Sequence, residues 1–511
     1  VDWIRDLDLD LALYNCRNDI LGDWYRDPWG WPELDWVVHQ RPELIVARLN
    51  STGARRVARL DVAKENFGIR PAVVLDPIDR LTYQALVDRV SKRLIDSMPR
   101  WVYGWRLPSP AKASGAYARN DHQWRKFVTR IKDASGSFPG LLKTDIVSFF
   151  SSVKVEFLNE RLFELAGHND VTERLAEMLL SWQRIPERSG LPQRSAASAV
   201  LANMYLSSID DLMQHYLARP DSEAAITCMR WMDDIWLFGE DEGYLRGLQL
   251  ELQRALRSIG LELNTAKTDV FLGSDAHDEA EKLDLTGLDY LLSMEPPSPP
   301  ALNEFNALIG QLTAAPERAN RTTIKFVTTR MRNHELYQEL PNFIESAPRM
   351  PQGADSLARL FRDSGESRNL VNWYLDYATG PWGKIDWTVA QLGTMFSSSP
   401  SIPIGLEEFF SGLLMNNRSL ALTALGAQRL AASDTGDVRY TIREAATLSD
   451  NPMQRRVLAL GALQAGESRL VVRRILSEFE ENAVTLEMLE DRGFRRPKPS
   501  ADFLGQMSRP R

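Results

Sequence analysis

Residues 226–239 read ITCMRWMDDIWLFG, two short apolar runs on either side of Met232, Asp233 and Asp234. The runs at 226–230 and 235–238 predict strands, and the polar pair between them predicts a hairpin with two carboxylates at its turn. Alone, an Asp-Asp pair is usually a solvated turn. A second stretch changes its meaning. GLLKTDIVSFFSSV, residues 140–153, reads as a buried strand that turns into a helix near Phe149, with Asp145 at the strand's end. A strand-end Asp beside a hairpin-turn Asp pair is a cluster of carboxylates, the donor set that two neighbouring divalent cations require.

Outward from these stretches, the first 290 residues mix strands with helices, as in an α+β domain. Residues 55–76 alternate apolar and basic types and predict two strands joined by a loop at 65–68. Helical spacing predicts helices over 81–98, 159–182, 196–217 and 244–259, followed by a strand at 267–272. The first 60 residues are Trp-rich and read poorly as regular structure. WYRDPWGWPELDW, residues 24–36, reads as a packed loop cap over a neighbouring core. SMEPPSPPALN, residues 293–303, holds four prolines and marks a boundary, beyond which nearly everything reads as helix. There NNRSLALTALGA (416–427) and NPMQRRVLALGA (451–462) match at an offset of 35 residues, with VAQLG (389–393) as a weaker third copy. A period of that length with two helices per repeat points to an α-solenoid of HEAT type. The expected organisation is an N-terminal extension (1–55), an α+β domain (56–292), a Pro-rich linker (293–303), a helical-repeat domain (304–495) and a flexible tail (496–511).

Composition bounds the function classes. A 44% hydrophobic and 25% charged chain has the material for sizeable cores. No apolar run is long enough to span a membrane, and no signal-peptide pattern opens the sequence. Cys16 and Cys228, the only cysteines, lie far apart and outside zinc-type spacing. That excludes a disulfide scaffold and a cysteine-held metal, and fits a reducing cytoplasm. The net charge of -8 argues against a basic coat for duplex nucleic acid while leaving room for a locally basic groove.

Four stretches resemble the palm motifs of reverse transcriptases, in that family's order: TDIVSFF (144–150), GLPQRSAASAVLANMYL (190–206), WMDD (231–234) and LELNTAKTDV (261–270). The resemblance covers roughly residues 50–290. It implies a reverse-transcriptase fingers–palm domain of α+β class, followed here by an all-α HEAT-like helical-repeat domain. It further implies that Asp145 and Asp233 hold two Mg2+ ions (Mn2+ being a substitute), with Ile146 among the metal ligands and Asp234 completing the acidic cluster. Phe150 matches the aromatic that excludes a ribose 2′-hydroxyl, and Gln193 matches the loop residue that touches the incoming nucleotide. Lys267 is the basic residue of the fourth motif. Lys64 and Arg70, with Arg80 as a third, fall where the fingers supply cations to the triphosphate; the plain alternative is surface charge. Ser198 and Asn203 match supporting positions. Two departures stand out. Trp231 replaces the usual Tyr, and Arg194 replaces the usual Gly after Pro-Gln, where it would crowd the site or add a template or phosphate contact.

Neither an RNase H domain nor a basic maturase thumb reads after residue 290. The helical C-terminus is similar to that of bacterial abortive-infection reverse transcriptases and their defence-associated relatives of the unknown groups. That resemblance implies antiphage defence, dNTP substrates and a homo-oligomer. It also implies a single-stranded DNA product that a protein hydroxyl primes, that needs no template and that stays covalently attached. No feature singles out a priming residue among the 13 tyrosines, or a phage trigger. Two alternatives stay open: a reverse transcriptase copying a non-coding RNA template, and an inactive scaffold whose solenoid binds a phage protein. Phe150 disfavours a third, an RNA-dependent RNA polymerase.

Overall fold

The computed structural model of the protein describes residues 2–51, 57–108, 117–185, 190–217, 225–283, 286–294, 297–398, 401–416, 418–433, 435–497 and 499. Its strands are β1 (Ala58–Ala63), β2 (Ile69–Val74), β3 (Val102–Tyr103), β4 (Gly140–Thr144), β5 (Ile226–Trp231), β6 (Asp234–Gly239) and β7 (Asp269–Leu272). Among the described residues no helix is long and apolar enough to cross a membrane. The chain divides into two units, neither continuous in sequence. One comprises residues 1–22, 40–54 and 78–285, the other residues 23–39, 55–77 and 286–511.

The first unit is built on a five-stranded sheet of order β3-β5-β6-β4-β7, antiparallel except for the β3–β5 pair. Its central strands are buried on both faces, with Leu141, Leu142, Leu237 and Phe238 wholly inaccessible, which explains why β4 and β6 read as continuous apolar runs. Leu245, Leu248, Leu252 and Leu256 form the buried stripe of the helix Glu242–Ser258, which packs on β4 and β6. The helix Asn120–Ser135 contributes Phe127 and Ile131 to a second cluster with Trp236 and Phe238.

Several expected elements are subdivided or shortened. The helix expected at 159–182 is two helices, Val155–Ala166 and Asp170–Gln183. Gly167 at φ +78° ends the first, and Asn169 with Thr172 caps the second reciprocally. The stretch 196–217 also divides, into Ala196–Tyr205 and Ser207–Leu217. β7 begins at Asp269 because Thr265–Lys267 forms a 3-10 turn instead. The first 60 residues are more regular than expected, with helices Leu9–Leu21, Pro32–Gln40 and Glu43–Asn50. The Pro and Trp density that suggests a loop hides a proline that simply starts a helix.

Asp88 ties three parts of this unit together. Its carboxylate accepts from Asn15 (3.0 Å), Gln84 (2.7 Å) and the Tyr117 hydroxyl (2.8 Å). Burial nevertheless pushes its pKa up to about 6, outweighing those three hydrogen bonds.

In the second unit β1 and β2 pair antiparallel, Ala58 facing Val74, with the 65–68 loop where expected. This hairpin packs on the helices Asp386–Gly393 and Leu420–Leu430. A unit boundary does fall at 54/55, beside the expected 55/56, but the hairpin that follows it is not part of the palm unit: its apolar face is covered by helices more than 300 residues further along the chain. Nor is 293–303 a linker throughout, because Ser298 caps the helix Pro299–Ala314. Further along, alternate helices touch. Arg321–Asn333, Ala354–Asp363, Asp386–Gly393, Leu420–Leu430 and Pro452–Gln464 form one row, and Leu406–Asn416, Gly436–Leu448 and Arg469–Ser477 form another. The two similar sequence stretches fall on successive members of the first row. Of the expected tail, residues 501–511 lie outside the described residues.

The segment 23–39 is core. Trp24, Trp29, Trp31 and Trp36 are all buried. Arg456, 3% exposed, reaches Asp27 (2.5 Å) and Glu33 (2.7 Å) and lies over the Trp31 ring. Burial alone would raise the Glu33 carboxyl, but the Arg456 charge and hydrogen bonds bring it below its ordinary value.

One prediction follows from Asp88. Its folded pKa lies above that of an ordinary carboxyl, so the stability it lends is full below about pH 4 and is lost as pH rises through about 6. Denaturant unfolding of the wild type and of Asp88→Asn across pH 4–7 should show the variant gaining on the wild type by roughly 2–3 kcal/mol as pH rises. A pH-independent difference between the two would contradict the assignment.

Candidate active site

The carboxylates come together because of strand register. β4 ends at Thr144, which faces Ile235 of β6, so the next residue, Asp145, falls opposite Asp234. Trp231 pairs with Asp234, leaving Met232 and Asp233 as a two-residue hairpin loop. Met232 sits at φ +56°, a conformation that hairpin turns usually give to Gly or Asn. Asp233 shares a hydrogen bond with the Asp145 carboxylate.

Beyond β4 the backbone is held by a short antiparallel bridge between Ile146 and Leu263. Asn264 N donates to Asp145 O (2.8 Å) and Val147 N to Glu262 O (2.9 Å), so the flanking groups make the bridge and the Ile146 carbonyl stays out of it. The Lys267 ammonium reaches Asp145 Oδ2 at 2.8 Å. The fourth motif thus lies directly on the first.

The chain then turns through Ser148 (φ +46°) into the short helix Phe149–Ser152. Phe149 is buried and Phe150 partly exposed. Leu191 N donates to the Phe150 carbonyl at 2.8 Å. Gly190 allows this approach: it has φ +66°, and a Cβ there would stand 1.9 Å from the Phe150 oxygen. Gln193 and Arg194 follow on the same loop. Arg194 is exposed with φ +58°, and its carbonyl accepts from Arg80 (3.1 Å). Arg80 therefore braces the loop from the helix Pro77–Asp96. Ser198 meets the Tyr83 hydroxyl (3.0 Å). Lys64 and Arg70 belong to the other unit, at the two sides of the β1–β2 turn, where the Arg70 guanidinium lies over the Trp24 ring.

Two residues hold the hairpin: Arg230, which sequence reasoning passed over, and Trp231, noted there only as a departure. Arg230, 1% exposed, binds Asp210 at 2.8 and 2.6 Å, the Asn203 side chain at 3.0 Å and the Met232 carbonyl at 3.0 Å. The signal available was an Arg inside an otherwise apolar strand. Trp231, in the place of the usual Tyr, is taken up by an aromatic nest: its ring centroid lies 5.1 Å from Trp124, 5.9 Å from Phe127 and 6.2 Å from Trp105.

Charge is crowded here. Burial, then the Asp145 and Asp234 charges, push the Asp233 carboxyl well above the ordinary range. Burial and Asp145 raise Asp234 to about 6, against the pull of Lys143 and Lys267. Among the described residues no three His, Cys, Asp or Glu side chains are gathered closely enough to enclose a cation as placed. The donor chemistry nonetheless fits divalent cations: oxygen ligands only, in a cluster so short of positive charge that the Asp233 carboxyl is raised by its acidic neighbours while the Lys267 ammonium leans on Asp145.

The model of the family "Reverse transcriptase (RNA-dependent DNA polymerase)" matches residues 62–327, just over half of the chain. The chain belongs to the reverse transcriptase family. It is a nucleotidyltransferase of that type. No curated protein matches it in sequence. Among solved structures, apo telomerase from Candida tropicalis is 10% identical with a TM-score of 0.33, over 88% of this chain and 74% of that one. Telomerase from Candida albicans with a fragment of telomeric RNA is 11% identical with a TM-score of 0.30, over 89% and 68%. Scores this low place nothing further, and the assignment rests on the family match.

Two substitutions test this reverse transcriptase's site architecture. Arg230→Met would leave Asp210 buried without its counter-charge and the Met232 carbonyl without its donor. Chemical denaturation should report a loss of about 3–5 kcal/mol. Arg194→Gly should relieve a left-handed conformation that costs a side chain roughly 1–2 kcal/mol, offset by about 0.5–1 kcal/mol of added chain entropy. The melting temperature should hold or rise slightly, whereas Arg194→Val should lower it. Equal destabilisation by both would show that the Arg194 side chain, and not its backbone, matters to the loop.

Proposed function

We propose that this reverse transcriptase polymerises deoxynucleotides with two Mg2+ ions, in antiphage defence, priming on a hydroxyl of its own chain and working without a template. The observation that carries the polymerase chemistry is the register that sets Asp145 across from the Asp233-Asp234 turn, with Phe150 on the helix that follows Asp145. Bound cations would supply the positive charge that the attacking and leaving oxygens need as the α-phosphate is displaced. In this reading Asp145 and Asp233 hold those cations, with Ile146 offering its carbonyl and Asp234 adding charge. Phe150 excludes a ribose 2′-hydroxyl, Gln193 contacts the incoming nucleotide, and Lys267 compensates phosphate charge. Support for untemplated synthesis comes from Arg194, whose exposed side chain stands where the family's Gly leaves space for a template. The alternating helices beyond residue 299 are read as HEAT-type repeats that supply the interface of a homo-oligomer.

A second reading has an observation of its own. The family is described as RNA-dependent, which favours copying of an RNA template. One experiment separates the two. Purified protein is incubated with each labelled dNTP and Mg2+, without primer or template, and run on a denaturing protein gel. Label that migrates with the protein and disappears in Asp233→Ala is the expected result. Phe substitutions at the exposed Tyr14, Tyr290 and Tyr440 then begin the search for the primer. An unlabelled protein that becomes active on adding an RNA template and primer would establish the second reading instead. Inactivity under both conditions would favour the scaffold.

A further inference from the structure

The helical unit contains a cavity of about 430 Å3, within the usual range for small-molecule sites. Trp29, Arg362, Phe396, Ser398, Arg429 and Gln464 contribute to its wall, and no Asp or Glu is among its described lining residues. Arg429 is the unusual member. It is 5% exposed, and its guanidinium donates to Ser398 Oγ (2.9 Å) and to the Thr394 carbonyl (3.4 Å). Its Nε has no hydrogen-bond partner among the described residues. Its electrostatic neighbours are Tyr374, a phenol that burial keeps neutral, and Arg362, a second cation. Burial lowers the Arg429 pKa to about 10.

A buried guanidinium without a counter-anion is unfavourable, and this same unit shows the normal solution at Arg456, which has two carboxylates. Two more wall atoms lack partners among the described residues: the donor Trp29 Nε1 and the acceptor Gln464 Oε1. Water could satisfy those hydrogen bonds, but it would not neutralise the charge. Trp29 and Phe396 add aromatic surface beside the cation.

We propose that this cavity binds a small organic anion, a phosphate or carboxylate on a flat apolar body, with the anionic group on Arg429 and the body against Trp29 and Phe396. The site lies wholly in the helical unit and does not depend on the polymerase reading. Its ligand is distinct from a nucleoside triphosphate held by the acidic cluster.

Three probes share one ring and differ in charge: phenyl phosphate, benzoate and benzyl alcohol. Titration calorimetry on the full chain should show saturable 1:1 binding of phenyl phosphate, of benzoate, or of both, and which of them binds assigns the anion. Benzyl alcohol should bind at least about tenfold more weakly, a difference of 1.4 kcal/mol. Arg429→Gln should weaken the anions by a similar factor and leave benzyl alcohol unchanged. Where that variant does not fold, Arg362→Gln, at a partly exposed position, should weaken the same anions by a smaller factor. Benzyl alcohol binding as tightly as the anions would overturn the proposal in favour of an apolar cavity. No binding by any of the three probes would overturn it in favour of a water-filled one.

Discussion

Arg230 is a charged side chain near the end of a largely apolar strand, and the acidic turn that follows is built on it. Its guanidinium is saturated by Asp210, by Asn203 and by the carbonyl of Met232. The last bond is the important one, because Met232 occupies a left-handed conformation in the tight loop that presents Asp233. A buried ion pair of this kind contributes little net stability over an apolar substitute. Its contribution is geometric: it anchors a strained turn to the helix Ser207–Leu217, so that β5 and β6 deliver two carboxylates to one place opposite the end of β4.

Strain and charge crowding coincide around that place. Ser148, Arg194 and Met232 are all non-glycine residues at positive φ, and they lie within the first, second and third motifs respectively. Asp233 and Asp234 are both raised above ordinary carboxylates, first by burial and then by the Asp145 charge. A region selected only for stability would relax these features. Their concentration at one end of a well-packed sheet is the usual signature of a site whose arrangement serves chemistry. The surrounding packing, such as the aromatic nest around Trp231 and the contact of Gly190 with Phe150, keeps the strained backbone from relaxing.

The second unit uses charge differently. Arg456 sits between two carboxylates and against Trp31, a closed arrangement that fastens the segment 23–39 to the helix Pro452–Gln464. Arg429, equally buried, has only neutral hydrogen-bond partners among the described residues. Two guanidinia in one helical unit thus differ in their described partners, one held by carboxylates and the other by a hydroxyl and a carbonyl.

Much of the site was legible in the sequence, because its chemistry is carried by short contiguous motifs whose local conformation follows from residue type. Asp145 at a strand end and Asp233-Asp234 in a turn needed only alternation and turn propensity, whereas the role given to Phe150 came from the family resemblance. The helical character of the C-terminal half was legible for the same reason. What depended on tertiary structure was everything set by long-range register and partner choice. Periodicity could not say that β7 lies beside β4, that Lys267 leans on Asp145, or that Arg230 would find Asp210. Nor could it reveal that the β1–β2 hairpin and the Trp-rich segment belong with helices hundreds of residues away, leaving Lys64 and Arg70 in a different unit from the carboxylates. A sequence pattern reports which face of an element is apolar, while the identity of the surface that covers it is a property of the whole folded chain.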